Sequence, residues 1–254
     1  MIFKILLRIL NHPLNKDKKF KAFLRFIKWQ IASRLTNLPM IFSFATRSEL
    51  VIKKKLTVAT GNYYCGLFEF EEMAFILHYL KEDDVFVDIG ANIGSFTVLA
   101  ANEVGAKSIA VEPIPTTFSE LETNVRLNGI EDRVSLHNIA LGHKESKIEI
   151  TEKLGAMNHI ALESDKNTLE VLVKPFYMIV NKIKHLIVKI DVEGFEMMVL
   201  KGMKNAFSYN EVDVVIIETN NSGVKYGFSD NDIYNFFLQK KNLCLIHMTL
   251  LKEN

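Results

Sequence analysis

The stretch Val85-Phe86-Val87-Asp88-Ile89-Gly90-Ala91-Asn92-Ile93-Gly94 constrains the fold of this chain more than any other. It reads as a short apolar strand that carries an acid near its end, then a tight glycine turn, then a helix that starts near Gly94. Gly90 lets the backbone turn sharply and come close to a ligand. Asn92 tolerates a left-handed conformation better than most residues. Gly94 lets the start of the helix pack against the strand. A strand, a glycine turn and a helix in this order hold an adenine-containing cofactor at the carboxyl edge of a parallel sheet.

The spacing of the turn selects among such cofactors. It is Asp-x-Gly-x-Asn-x-Gly rather than Gly-x-Gly-x-x-Gly, with Asn92 where a dinucleotide fold places the glycine that admits the pyrophosphate. A sulfonium nucleoside has no phosphate to cradle, so the pattern points to S-adenosylmethionine rather than NAD. Asp88 is then placed to hold the ammonium of the cofactor's amino-acid part. Glu112 follows at the end of the next predicted strand, where a carboxylate accepts hydrogen bonds from both ribose hydroxyls. Pro113 and Pro115 fix the exit from that strand.

Downstream, strand and helix alternate. Strands are predicted at Ser108–Glu112, Val134–Leu141, Leu186–Asp191, Val212–Glu218 and Leu243–Leu250. Helices are predicted from Gly94 to about Glu103, and over Pro115–Leu127, Phe195–Phe207 and Asp230–Lys240. Thr117-x-x-Glu120 matches a capping box, and Asn128-Gly129 is a stop signal. Alternating residues from Lys147 to Val173 predict a β insertion. The pattern is that of an α/β fold, a doubly wound, mostly parallel sheet with helices on both faces. Four of the strands end in acids: Asp88, Glu112, Asp191 (with Glu193 just past it) and Glu218. In a parallel sheet these ends share one edge, where ligands of open α/β sheets bind.

Charge divides the chain. Met1–Lys55 holds thirteen basic and two acidic residues, a net of +11, while the rest holds eighteen basic and twenty-eight acidic residues, a net of −10. A basic arm on an acidic body suits an anionic partner such as a membrane surface or a polyanion. Phe20, Leu24, Ile27, Ile31 and Leu35 follow helical spacing, which predicts an accessory helix packed on the domain through that stripe; association with a membrane surface is the alternative. Lys4 and Arg8 interrupt the apolar run at the start, so it does not read as a signal peptide. Nor does any stretch approach the ~18 uninterrupted apolar residues of a membrane span. The two cysteines, Cys65 and Cys244, form no metal-ligand or redox spacing, and the histidines are scattered, so neither a disulfide framework nor a metal site is predicted. That usage fits the cytoplasm, with a peripheral membrane contact through the basic helix left open.

The segments Phe86–Gly94, Val111-Glu112-Pro113, Asn124 to Asn128, and above all Lys189-Ile190-Asp191-Val192-Glu193-Gly194-Phe195-Glu196 resemble FkbM-type methyltransferases, over roughly Thr60 to Glu218. The resemblance implies a class I Rossmann-like methyltransferase fold over residues 60–254, preceded by a basic, largely helical extension over 1–59. It implies S-adenosylmethionine as cofactor and O-methylation of a hydroxyl on a sugar, a glycoside or a polysaccharide precursor. It assigns Asp88, Gly90, Asn92, Gly94 and Glu112 to the cofactor, places Asn138 and Ala140 near the adenine, and turns Asp191, Glu193 and Glu218 toward the substrate. Asp191 or Glu193 is expected to act as general base, with Lys189 on the same strand face tuning that acid's charge. Among Tyr63, Tyr64, Glu69, Glu71 and Glu72, whose side chains suit sugars, Tyr64 and Glu71 are assigned to the acceptor. No metal is expected, and nucleic acid is disfavoured because no Asn-Pro-Pro-Tyr-like signature is present.

The chain departs from the family pattern twice. Pro175-Phe176-Tyr177-Met178 lacks the acid of a Thr-Leu-Asp-like element, and Leu243–Leu251 supplies one final strand where class I folds end in a hairpin. A truncated or non-catalytic protein that binds the cofactor or a partner is therefore the competing expectation.

Overall fold

The computed structural model describes residues 2–54, 56–152, 155, 158–162, 164–180, 183–209, 211–238 and 244–249. Its centre is a sheet of six parallel strands: β3 (Val85–Ile89), β4 (Lys107–Val111), β5 (Val134–His137), β9 (Leu186–Ile190), β10 (Val212–Thr219) and β11 (Cys244–Thr249). Their order is β11-β10-β9-β3-β4-β5, which reverses direction between β3 and β9. That switch point is where an open α/β sheet forms its crevice. The central strands are apolar on both faces because both are covered. Phe86, Ala110, Ile187, Val214 and Ile216 pack on one side with α4 (Phe70–Tyr79), α5 (Ser95–Val98) and α6 (Pro115–Leu127). Val87, Ile89, Val188, Ile190, Val215 and Ile217 pack on the other with α7 (Glu196–Gly202), α8 (Lys204–Ser208) and α9 (Asp230–Leu238).

Most predicted elements lie close to their expected limits, and the differences have local causes. The helix after Gly94 runs as α5 and then widens into a π-helical turn over Leu99–Val104, ending at Gly105 in a left-handed conformation. Helix α6 starts at Pro115, as expected, but no capping box forms. Thr117 already lies inside the first turn, and Glu120 pairs instead with Lys53 at 2.6 Å. The strand expected over Val134–Leu141 divides at Asn138. Its first half is β5, while Ala140–Gly142 (β6) leaves the main sheet for a small one. That small sheet, in the order β6-β8-β7, is the predicted insertion, with β7 at Ser146–Thr151 and β8 at Thr168–Pro175. The helix expected over Phe195–Phe207 is broken at Met203. Strand β11 pairs with β10 in parallel, from Val214–Cys244 to Thr219–Thr249. Lys240, Leu243 and Leu250, the expected limits of the last two elements, lie outside the described residues.

Ahead of the sheet stand α1 (Ile2–Asn11), α2 (Lys19–Leu35), a hairpin of β1 (Met40–Ser43) and β2 (Glu49–Ile52), and α3 (Thr57–Cys65). The residue-59 boundary falls within α3. Helix α2 corrects a prediction. The stripe Phe20, Leu24, Ile27, Ile31 and Leu35 is exposed, by 72%, 50%, 36%, 54% and 77%, while Ala22, Phe26 and Trp29 on the opposite face are buried. The helix is apolar on two faces, and spacing alone could not tell which one packs.

The hairpin is held to the sheet layer by two amides one turn apart, Asn124 on α6 and Asn128 just past its end. Asn124 Oδ1 accepts from Val51 N–H at 2.9 Å, and Asn124 Nδ2 donates to the Ile93 carbonyl at 2.8 Å. Asn128 accepts from Glu49 N–H and donates to the Glu49 carbonyl. These side chains complete the backbone hydrogen bonding of β2 as a neighbouring strand would.

Candidate active site

The turn after β3 is built as its residues dictate. Gly90 has φ +81°, and a Cβ there would lie 1.8 Å from the Asp191 carbonyl oxygen, so the loops after β3 and β9 touch where only glycine fits. Asn92 (φ 51°) and Gly94 (φ 85°) are also left-handed. The N–H groups of Gly90 and Ala91 both donate to the Val111 carbonyl, and Asp191 N–H donates to the Ile89 carbonyl. The turn therefore sits between the ends of β4 and β9. Glu112 closes it: its Oε2 accepts from Asn92 N–H and its Oε1 from Ile114 N–H, both at 3.0 Å. Burial lifts the Glu112 carboxyl to about 7 against those two hydrogen bonds.

These elements wall a cavity of about 890 Å³. Gly90, Asn92, Glu112, Ala140, Lys189, Asp191, Glu193 and Glu218 all line it, as do Tyr64 and Glu71. The sheet thus brings together most of the residues picked from sequence. Three predicted cofactor residues lie elsewhere. Asp88 is 1% exposed and sits beneath the cavity, where its Oδ2 accepts from the Thr97 hydroxyl at 2.6 Å. It ends one residue short of the edge because Ile89 completes β3. Asn138 donates to the Glu112 and Pro113 carbonyls and so shapes the exit from β4, leaving its neighbours Ile139–Leu141 to face the cavity. Gly94 packs on Leu121. Glu71 is exposed at the rim.

The centre of the site is a carboxylate cluster around one buried cation. Lys189 Nζ lies 2.8 Å from Asp191 Oδ2 and 4.7 Å from the Phe96 ring centre, with its side chain 3% exposed. Burial alone would depress the Lys189 ammonium, but Asp191, Glu69 and Asp88 around it outweigh burial and hold it charged. Burial likewise works against ionising Asp191, yet Lys189 and a hydrogen bond with Glu218 bring its carboxyl below the usual range. Glu218 takes the other role. Burial and the Asp191 charge push it up to about 9, so it is protonated at neutral pH and donates to Asp191. Two acids beside one lysine leave one proton shared. Glu193, held left-handed at φ 51°, accepts from Asn220 Nδ2 at 3.4 Å. Burial and Asp191 raise its carboxyl.

Glu69 joins this cluster from the opposite wall, raised to about 7 by burial. The loop that carries it is held by Asn62, whose Oδ1 accepts from Phe68 N–H and whose Nδ2 donates to Ser95 Oγ at the start of α5. The sequence assigned the acceptor to Glu71 instead, and no periodic signal separates the two. The β insertion contributes the roof, with Ile148, Ile150, His159 and Ile160 along the cavity. Tyr226 Oη donates to the Ile160 carbonyl at 2.7 Å and ties that roof to the loop after β10. Elsewhere, His185 pairs with Asp213 on the surface and His137 lies beside Ser135. Among the described residues, no group of three or more His, Cys, Asp or Glu is arranged to hold a metal ion.

A switch-point crevice with a glycine turn and a carboxylate-lined edge defines a nucleoside-binding α/β protein. The model of the methyltransferase FkbM domain matches residues 88–243, and the chain belongs to that family. It is 27% identical over 163 residues to "Methyltransferase 1" of Beauveria bassiana, covering 54% of this chain and 65% of that protein. It is 31% identical over 154 residues to the hexuronic acid methyltransferase AglP of Haloferax volcanii, covering 59% of this chain and 62% of that protein. The matches thus span a little under two thirds of the length of these relatives. Among solved structures, an rRNA methylase from Streptococcus thermophilus aligns with a TM-score of 0.41 at 12% identity, over 67% of this chain and 78% of that one.

Proposed function

We propose that this chain is an S-adenosylmethionine-dependent O-methyltransferase whose acceptor is a sugar hydroxyl. The observation that carries the reading is the convergence of Glu112, Asp191, Glu193 and Glu218 on one cavity at the switch point of the sheet. Membership of the FkbM family supports the reaction class. The name of the Haloferax relative, a hexuronic acid methyltransferase, supports a sugar acceptor.

The residues fit the cofactor. Glu69 Oε2 and Glu218 Oε1 are buried without a hydrogen-bond partner among the described residues. Acceptors left over beside protonated carboxyls suit a ligand that brings positive charge and N–H or O–H donors. Glu112, anchored by two backbone N–H groups, keeps lone pairs for the ribose hydroxyls, and Ile139–Leu141 offer an apolar wall for the adenine. When bound, S-adenosylmethionine supplies an already activated methyl group, so positioning provides much of the rate.

What remains for the protein is the acceptor proton. Asp191 is committed to Lys189 and to the Glu218 proton, which makes it a fixed anion that orients the site. Burial and the neighbouring Asp191 raise the Glu193 carboxyl, which makes it a stronger proton acceptor than an ordinary glutamate, and it takes the proton from the attacking hydroxyl. The test is calorimetry with S-adenosylhomocysteine, using NAD and a Glu112→Ala variant as controls, followed by methyl transfer to uronic-acid glycans. Binding that is lost in the variant supports the cofactor reading. A folded protein that binds neither ligand overturns it, and tight binding without transfer to any hydroxyl acceptor overturns the acceptor class.

A further inference from the structure

We propose that α1 and α2 form a docking face for an anionic lipid bilayer. Helix α2 buries Ala22, Phe26 and Trp29 against the protein and turns Phe20, Leu24, Ile27, Ile31 and Leu35 to solvent. Five large apolar side chains on one face at helical spacing make a continuous exposed stripe, which soluble surfaces rarely carry without a partner. On the helical wheel Lys21 and Lys28 border one side of the stripe and Arg34 borders the other, with Lys19 beyond it toward the buried face. All four are exposed. An apolar stripe flanked by long cations is the pattern of a helix that lies in the plane of a membrane interface, its stems along the acyl boundary and its charges among the head groups.

Charge selects the occupant. The segment Met1–Lys55 carries a net +11, whereas the body carries −10. The net negative charge of the body opposes approach to an anionic surface, so the charge distribution favours this end. A second copy of the chain would bring like charge to the same stripe, which opposes self-association there. Helix α1, which packs against α2, also exposes Phe3 and Leu7, by 70% and 43%. The same two helices also form one end of the cavity, through Ile5, Ile9, Phe26 and Trp29. Docking in this orientation therefore brings that end of the site to the membrane. The inference does not depend on the reaction assigned to the site.

Flotation of the full chain with phosphatidylcholine vesicles and with vesicles that also contain phosphatidylglycerol tests this. The expected result is flotation with the anionic vesicles alone, weakened by salt. Two variants separate the contributions, and circular dichroism shows whether each folds. Lys19→Ser/Lys21→Ser/Lys28→Ser is expected to weaken binding on the order of 100-fold, from the attraction of each lysine to an anionic surface. Phe20→Ser/Leu24→Ser/Ile31→Ser, all at exposed positions, is expected to abolish flotation while leaving S-adenosylhomocysteine affinity unchanged. The proposal is overturned if folded protein floats with neither vesicle, or if the apolar variant floats as well as the parent. It is also overturned if sedimentation shows a dimer that the apolar variant dissociates, or if the chain binds RNA and ignores vesicles.

Discussion

Lys189 Nζ and Asp191 Oδ2 meet at 2.8 Å across the last turn of a strand, two residues apart in sequence and on the same face. The lysine is almost fully buried, and the acid is open to the cavity. Removing one partner leaves the other charge without compensation. Lys189→Met is expected to destabilise the protein by about 3 kcal/mol. Asp191→Asn on that background is expected to cost much less than it does alone. Urea denaturation of the four proteins in the cycle measures the coupling, and additive losses would show that the pair contributes nothing.

The raised carboxyls make stability fall as pH rises. Glu69 and Glu112 at about 7, and Glu218 at about 9, hold protons in the folded state that the unfolded chain has released. Their contribution is complete below the ordinary glutamate range and is lost as pH climbs through those folded values. Unliganded protein is therefore expected to lose thermal stability steadily from about pH 5 to pH 9. Glu218→Gln, which resembles the protonated acid, should leave Tm nearly unchanged at pH 4 and raise it progressively above the parent's as pH climbs toward 9. A Tm that is flat in the parent across that range contradicts the assignment.

Glu193→Gln is expected to lower kcat by roughly 10²- to 10⁴-fold, with affinity for S-adenosylhomocysteine kept. The pH–rate profile should lose its acidic limb in the variant. Unchanged turnover in a variant that binds the cofactor would move the base to another residue.

Gly90 and Gly129 both have positive φ, at 81° and 62°, yet an added Cβ meets the Asp191 backbone at Gly90 and open space at Gly129. Gly129→Ala is expected to cost about 1 kcal/mol for the left-handed backbone alone. Gly90→Ala must also push the β3 and β9 loops apart, so it should cost several times more and remove cofactor binding. Paired calorimetry and denaturation of the two variants would show the contrast.

The sheet was legible because its strands are short apolar runs ended by acids, and a parallel sheet puts those ends on one edge whatever the details of the loops. The same logic located Glu112, Asp191, Glu193 and Glu218. It failed for Asp88, which lies one residue inside the strand end and therefore below the cavity rather than at its wall. It failed for Glu69, because nothing in the spacing of Glu69, Glu71 and Glu72 says which one faces inward. That choice is made by Asn62, a contact set by tertiary packing. The stripe on α2 misled for a related reason: with apolar residues on both faces, periodicity marks a helix without marking its inside. The break at Asn138 left no periodic trace at all, since the apolar pattern continues through it into a different sheet.

Asn124 holds the hairpin through Val51 and the cofactor turn through Ile93 with the two ends of one amide. A shortened version of the chain that starts after β2, the natural way to isolate the sheet domain, would leave that amide and its neighbour Asn128 facing water with half their partners gone. The expected result is a fragment whose nucleoside affinity drops although no residue of the crevice has been removed. Trimming the basic segment is thus a perturbation of the binding turn, and a minimal catalytic unit has to begin upstream of Glu49.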